Sequence, residues 1–195
     1  MKLEDIGFYT LCDKRALHSN TRSPLWRCEL ILTDRCNLSC PYCRGLRADC
    51  KGDMPVSEAM GILSQWLKYD LVNVRFSGGE PTMWRKDLLH GLVLCCAGQG
   101  VERIAISTNG TAKLKKYDQL LRAGVNDFSI SLDSGCCATG TVMNGGKTKA
   151  WEKSVEAIKY LASRTYVSVG MVFNENNLDN AREAIYFADS LRENE

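Results

Sequence analysis

Arg27-Cys28-Glu29-Leu30-Ile31-Leu32-Thr33-Asp34-Arg35-Cys36-Asn37-Leu38-Ser39-Cys40-Pro41-Tyr42-Cys43 passes from a short aliphatic run straight into a loop that carries three cysteines. Residues 27–33 read as a strand, brief and bounded by turn residues. The same order, a run rich in Val, Ile, Leu or Phe followed by small and polar residues, returns at 72–77, 104–107, 127–132 and 167–173. Helical patterns occupy the intervals. After Pro55, Ala59, Ile62, Leu63 and Trp66 share one face; Leu88, Leu89, Leu92 and Val93 do so in a second helix, and Leu114, Tyr117, Leu120 and Leu121 in a third. Trp151, Val155, Ile158 and Ala162 mark a fourth, and Leu178, Ala181, Ile185 and Ala188 a fifth, all on the three-and-four spacing of a buried stripe. Pro55 suits a first helical turn, where its missing N–H costs nothing. Gly124 suits the left-handed residue that ends the third helix.

Five βα units in succession predict an α/β fold of parallel strands with right-handed helical crossovers. The chemistry-bearing residues follow the strands directly, at the end where barrels and open α/β sheets place their sites. Residues 1–26 fit no such unit and read as an N-terminal extension, with 7–11 as a short extra strand; 27–195 read as the core domain.

The bulk numbers narrow the function classes. At 195 residues the chain suits one domain with a sizeable core. A formal net charge of +2 is too small to argue for nucleic acid or an anionic membrane as partner. Lys113, Lys115 and Lys116 read as the solvated face of a helix. No apolar run approaches the ~20 residues that span a bilayer, and 1–10 has no apolar signal region, so the expected location is the cytoplasm. Ten cysteines in a reducing compartment point to metal or redox work rather than disulfides.

Cys36, Cys40 and Cys43 can converge on one metal centre. Three is the informative number, since structural zinc and ordinary [4Fe–4S] sites take four ligands. On spacing alone, an open cluster and a zinc site completed by Cys28 or Cys50 both remain.

The surrounding motifs separate them. The stretch from Thr33 to Cys43 closely resembles the CxxxCxxC signature of the radical S-adenosylmethionine superfamily, in particular the branch with the molybdenum-cofactor cyclase and peptide-modifying enzymes. Ser77-Gly78-Gly79-Glu80-Pro81 resembles its GGEP motif, Ser107-Thr108-Asn109-Gly110 its STNG stretch, and Ser131-Leu132-Asp133 its ribose-contacting segment. Val169 to Asn174 occupies the fifth-strand position whose backbone, in the family it resembles, borders the adenine. The resemblance spans roughly residues 27–190. It implies a partial (β/α) barrel with five βα units visible and a sixth apparently missing. It also implies a [4Fe–4S] cluster on Cys36, Cys40 and Cys43 whose open iron chelates S-adenosylmethionine. An electron from the cluster then gives a 5′-deoxyadenosyl radical that takes hydrogen from a peptide or small-molecule substrate. Cofactor contacts are implied for Tyr42, Gly78, Gly79, Glu80, Ser107, Asn109, Ser131, Asp133 and Met171. An electron donor such as flavodoxin or ferredoxin is implied as partner. A non-catalytic iron–sulfur or zinc module and a glycyl-radical activase are the alternatives.

The chain departs from the family pattern in several places. Residues 134–146 hold no arginine, so a family-type arginine contact does not transfer; Lys147 and Lys149 are the nearest positive charges. Cys95 and Cys96 read as the buried side of the second helix. Cys136 and Cys137 read as loop residues near the active face, either catalytic thiols or plain loop. Cys12, Cys28 and Cys50 lack the spacing of a second cluster, and His18 and His90 are too sparse for a site. Without a sixth unit the fifth strand is an open edge, which the N-terminal extension or a partner chain would have to cover.

Overall fold

Alternation within each strand decides how the sheet is used. The computed structural model describes residues 27–43, 52–69, 71–85 and 88–191. The expected extension over 1–26, with its strand at 7–11, Cys12 and His18, lies outside the described residues, as does Cys50. Strands β1 (Arg27–Ile31), β2 (Asn73–Ser77), β3 (Arg103–Thr108), β4 (Asp127–Ser131) and β5 (Tyr166–Gly170) form one parallel sheet in the order β1-β2-β3-β4-β5. Val74, Phe76, Ile104, Ile106, Phe128 and Ile130 alternate along β2, β3 and β4, are buried, and belong to one apolar cluster with the helices. Each such side chain contributes about 1.5–3 kcal/mol when fully buried. The intervening residues point to the other, concave face.

Register lines these concave residues into rows. Glu29, Arg75, Ala105, Asp127 and Tyr166 lie side by side across the five strands. One step nearer the C-terminal ends come Ile31 and Ser77, then Ser107, Ser129 and Ser168. Among the described residues, the helices pack on one face, as in a barrel wall, and the sheet stays unclosed with β5 at its edge.

Six helices are described: α1 (Val56–Leu67), α2 (Leu88–Gly98), α3 (Leu114–Ala123), α4 (Cys137–Met143), α5 (Ala150–Ala162) and α6 (Ala181–Ser190). The stripes of α1, α3 and α5 fall as the spacing predicts. Tyr117 meets Phe128 edge-on at 5.8 Å between ring centroids, and Gly124 ends α3 at φ +118°. In α2, Leu89, Leu92, Val93 and Cys96 are buried, whereas Leu88 is exposed because it opens the helix. The expected stripe of the fifth helix is corrected: Leu178 sits in a separate 3-10 turn, Leu178–Asn180, and both it and Ile185 are exposed. The residues α6 and its end bury are Ala184 and Leu191. The expected loop at Cys136 and Cys137 is also corrected, since Cys136 caps α4 and Cys137 is its first residue. No helix among the described residues is long and apolar enough to cross a membrane.

Candidate active site

The three cysteines hang from the C-terminal end of β1, and two backbone straps hold their loop. Leu32 donates to the Ser77 carbonyl, Gly79 to that of Thr33 at 2.6 Å, and Glu80 to that of Arg35 at 2.8 Å. This contact explains Gly78 and Gly79. A Cβ on Gly78 would lie 2.3 Å from the Thr33 oxygen, and one on Gly79 would lie 2.4 Å from the Arg35 oxygen. The close approach that these glycines permit is to the stem of the cysteine loop itself.

On the other flank, Arg35 grips Asp53 through Nε at 2.9 Å and Nη2 at 2.7 Å, and also donates to the Met83 carbonyl at 2.9 Å. Thr33 Oγ1 donates to the same carboxylate at 2.6 Å. The Arg35 bonds, then that of Thr33, hold the Asp53 carboxyl below its usual range. The pair is half exposed, so its net worth stays below about 1 kcal/mol, and it acts by fixing geometry.

Glu80 is the buried hub of the site. Its Oε1 accepts from Thr82 N, Thr82 Oγ1 and Thr108 Oγ1 at 3.1, 2.6 and 2.8 Å, and its Oε2 accepts from Asn109 N at 2.8 Å. Burial pushes the carboxyl up, and these donors pull it back. The carboxylate thus ties the loop after β2 to the loop after β3. Asn109 continues the tie outward: its Nδ2 donates to Asn37 at 2.9 Å and lies 3.7 Å from the Cys36 sulfur, while its Oδ1 accepts from Thr111.

Asp133 plays the same part after β4. It accepts from the Tyr42 hydroxyl and from Val172 N, the latter at 2.7 Å. Asn177 secures this corner from behind, donating to the Asp133 and Val172 carbonyls at 2.8 Å each. Burial raises the Asp133 carboxyl and its two donors lower it. Tyr42→Phe is therefore expected to cost about 1–3 kcal/mol at neutral pH, by leaving a buried carboxylate with one side-chain donor fewer. The loss should shrink as pH falls through the Asp133 range, because a protonated carboxyl no longer needs that donor. Urea unfolding across pH measures it, and an unchanged midpoint at pH 7 would refute it.

The implied contacts thus divide into two sets. Tyr42, Glu80, Asn109 and Asp133 spend their side chains on one another and on loop backbone. Ser107 and Ser131 keep hydroxyls with no partner among the described residues, and Gly78 and Gly79 present backbone. Met171 lies past the end of β5 and lines a groove of about 660 Å³ beside α6.

Among the described residues, no three Cys, His, Asp or Glu side chains form a ready-made metal cage. The donor chemistry nonetheless fits a thiophilic cation. Burial first, then neighbouring charge including the other thiols, raises Cys36 and Cys40, the latter to about 11 although Tyr42 pulls it down. Cys36 and Cys40, two thiols that resist ionisation beside Glu80 and Asp133, are relieved by a bound cation. Cys136 and Cys137 stand apart on α4. The turn after that helix closes on the cysteine loop, where a Cβ at Gly145 would lie 2.3 Å from the Ser39 oxygen. Sequence reasoning missed Arg35, Asp53, Thr82, Thr108, Asn37 and Asn177; all but Thr82 are ordinary polar residues whose partner is distant in the chain, and Thr82 bonds Glu80 two positions away.

A family model described as the Radical SAM superfamily matches residues 30–188. A probable GTP 3′,8-cyclase of Methanosarcina mazei is 32% identical over 168 residues, covering 80% of this chain and 49% of that protein. The mitochondrial GTP 3′,8-cyclase of Arabidopsis thaliana is 34% identical over 109 residues, covering 54% of this chain and 28% of that protein. Streptococcus suis SuiB bound to S-adenosylmethionine shares the fold at a TM-score of 0.72 and 18% identity, over 92% of this chain and 41% of SuiB. Methylornithine synthase (PylB) does so at 0.68 and 15%, over 90% and 53%. The chain spans about half the length of the relatives it matches in sequence or less.

Proposed function

The chain belongs to the radical S-adenosylmethionine superfamily, an enzyme family that uses a [4Fe–4S] cluster and S-adenosylmethionine, and from that we propose that it holds the cluster on Cys36, Cys40 and Cys43. When bound, the cluster supplies the electron that cleaves S-adenosylmethionine and so starts hydrogen abstraction from a peptide or small-molecule substrate. A reductant such as flavodoxin or ferredoxin supplies that electron in turn.

The chain's own residues do the positioning. The Arg35–Asp53 grip and the Gly78–Gly79 strap hold the cysteine loop over the strand ends. Glu80, bonded on both oxygens, keeps its loop and Asn109 in register. With that carboxylate spent, the carbonyls of the Gly78–Gly79 loop are the acceptors for the amino group of S-adenosylmethionine. Ser107 and Ser131 offer hydroxyls to its remaining polar groups, and Asp133 orients Tyr42 toward the adenine. The observation that carries the reading is the convergence of four strand-end motifs, in order, around one cysteine loop.

A nucleotide is the substrate class favoured among small molecules, because the GTP 3′,8-cyclases match at 32% identity over most of the chain. The test is anaerobic reconstitution with iron and sulfide, followed by reduction with S-adenosylmethionine present. Release of 5′-deoxyadenosine is expected. No product, together with a cluster spectrum that S-adenosylmethionine leaves unaltered, would sink the reading.

A further inference from the structure

Adjacent cysteines occur twice in the chain, as Cys95–Cys96 and Cys136–Cys137, and the fold treats the two pairs differently. On α2, Cys96 is buried in the apolar core, and burial pushes its thiol up to about 12. Cys136 and Cys137 are both exposed, and their surroundings are opposite in kind. The Cys136 sulfur lies 3.5 Å from Thr139 Oγ1 and 3.8 Å from Ser134 Oγ, two hydroxyls able to donate to a thiolate. The Thr139 hydroxyl, then its amide, then the Ser134 hydroxyl hold that thiol below its usual range. Cys137 instead donates to a carboxylate, Glu152 Oε1 at 3.3 Å, and this bond raises its thiol. One thiol is set to ionise and its neighbour to stay protonated.

That division assigns roles. An accessible thiolate is the group that attacks a peroxide, and a second thiol beside it is the group that resolves the product. Ser134 fixes the first thiol in place, since its Oγ accepts from Cys136 N at 3.0 Å and donates to the Cys136 carbonyl at 2.9 Å. Glu152, in the first turn of α5, stands ready to accept the proton of the second. A disulfide between chain neighbours joins Cα atoms about 3.8 Å apart, under the usual span of about 4.4–6.8 Å. Such a bond is strained and readily reduced, which suits a site that closes and reopens rather than a structural bridge.

We propose that Cys136 and Cys137 form a reversible dithiol–disulfide site whose oxidant is hydrogen peroxide, with Cys136 the attacking thiol and Cys137 the resolving one. The Cys136 thiolate bonds to one peroxide oxygen as the O–O bond breaks; its sulfur becomes a sulfenic acid, and the hydroxide released takes a proton from solvent. The Cys137 sulfur then displaces the sulfenic hydroxyl. An S–S bond forms, the S–O bond breaks, and the Cys137 proton passes by way of Glu152 to the departing hydroxide. Two thiols and one peroxide thus give one disulfide and two waters, and a small thiol reductant restores the pair. The site goes beyond the radical reading and does not depend on it.

Peptide mapping tests it on the intact chain, reconstituted anaerobically with iron and sulfide and then given hydrogen peroxide with a chelator for released iron. Tryptic cleavage leaves Cys136 and Cys137 in residues 123–147 and Cys95 and Cys96 in residues 87–103, with no other cysteine in either peptide. The first peptide is expected to lose two hydrogens at least about tenfold faster than the second, and to regain them with dithiothreitol. Cys137→Ser should stop at a sulfenic acid that dimedone traps on Cys136, and Cys136→Ser should abolish the loss. Thermal melts check that both variants fold; should either serine variant not fold, the alanine variant at that position carries the comparison. Equal oxidation of the two peptides, an unoxidised 123–147, or oxidation that persists in the Cys136 variant overturns the proposal. The reading is confined to these peptides, so it stands or falls apart from S-adenosylmethionine cleavage.

Discussion

Cys40→Ala is expected to reduce both bound iron and 5′-deoxyadenosine release to background. Three thiolates leave one position of a four-iron cluster open, and two would leave the cluster half unheld. Cys40 is the middle one of the three proposed ligands and is half-buried where Cys36 and Cys43 are exposed. Burial first, then the charges of Asp133 and the other two thiols, push its pKa up to about 11, with Tyr42 pulling the other way. Removing it therefore deletes one of the three proposed ligands while Tyr42 keeps its own bond to Asp133. Cys136→Ala is the matched control: that cysteine is exposed at the cap of α4, and its loss should spare the iron. Iron content and the charge-transfer absorbance of the reconstituted variants decide the matter, and full iron in Cys40→Ala would exclude this ligand set.

Gly79→Ala is expected to destabilise the fold by about 3 kcal/mol, the upper range for forcing extra volume into a packed site. That corresponds to a fall in melting temperature of roughly 6–12 °C for a chain of this size. The new methyl group would lie 2.4 Å from the Arg35 oxygen and 2.7 Å from that of Asp34. Both obstacles are backbone, so no side chain can swing aside. Relief requires the loop after β2 to part from the stem of the cysteine loop, breaking the Gly79–Thr33 and Glu80–Arg35 bonds. Iron uptake should fall with stability. Gly61→Ala is the contrast, since nothing lies within 4 Å of its Cβ and it sits inside α1; alanine there should be neutral or stabilising. A melting temperature for Gly79→Ala equal to that of the parent would refute the strap.

The motifs were readable because each is local. Cysteine spacing, the Gly78–Gly79 pair and the Asn109–Gly110 turn all lie within a few residues of a strand end, and the strand-then-helix rhythm orders them. What the chain did not disclose was how the pieces are tied. Glu80 meets Thr108 across 28 positions and Asn177 meets Asp133 across 44. Strand register creates such pairs, and no local pattern announces them. Helix α4 escaped notice because its seven residues are too few to show a period. The stripe at Leu178 and Ile185 followed helical spacing yet stayed exposed, since periodicity gives a face and not its neighbour.

From the order of residues alone came a parallel α/β sheet, a three-thiol loop after β1 and the family's motifs at the strand ends. Hydrophobic periodicity and short-range spacing are written along the chain, so these needed no coordinates. The folded chain alone assigned the two glycines to the stem of the loop, the carboxylates of Glu80 and Asp133 to holding loops together, and Arg75 to the concave face of the sheet. Those assignments depend on which strand lies beside which and in what register, and that is settled only when residues far apart in the chain are packed together.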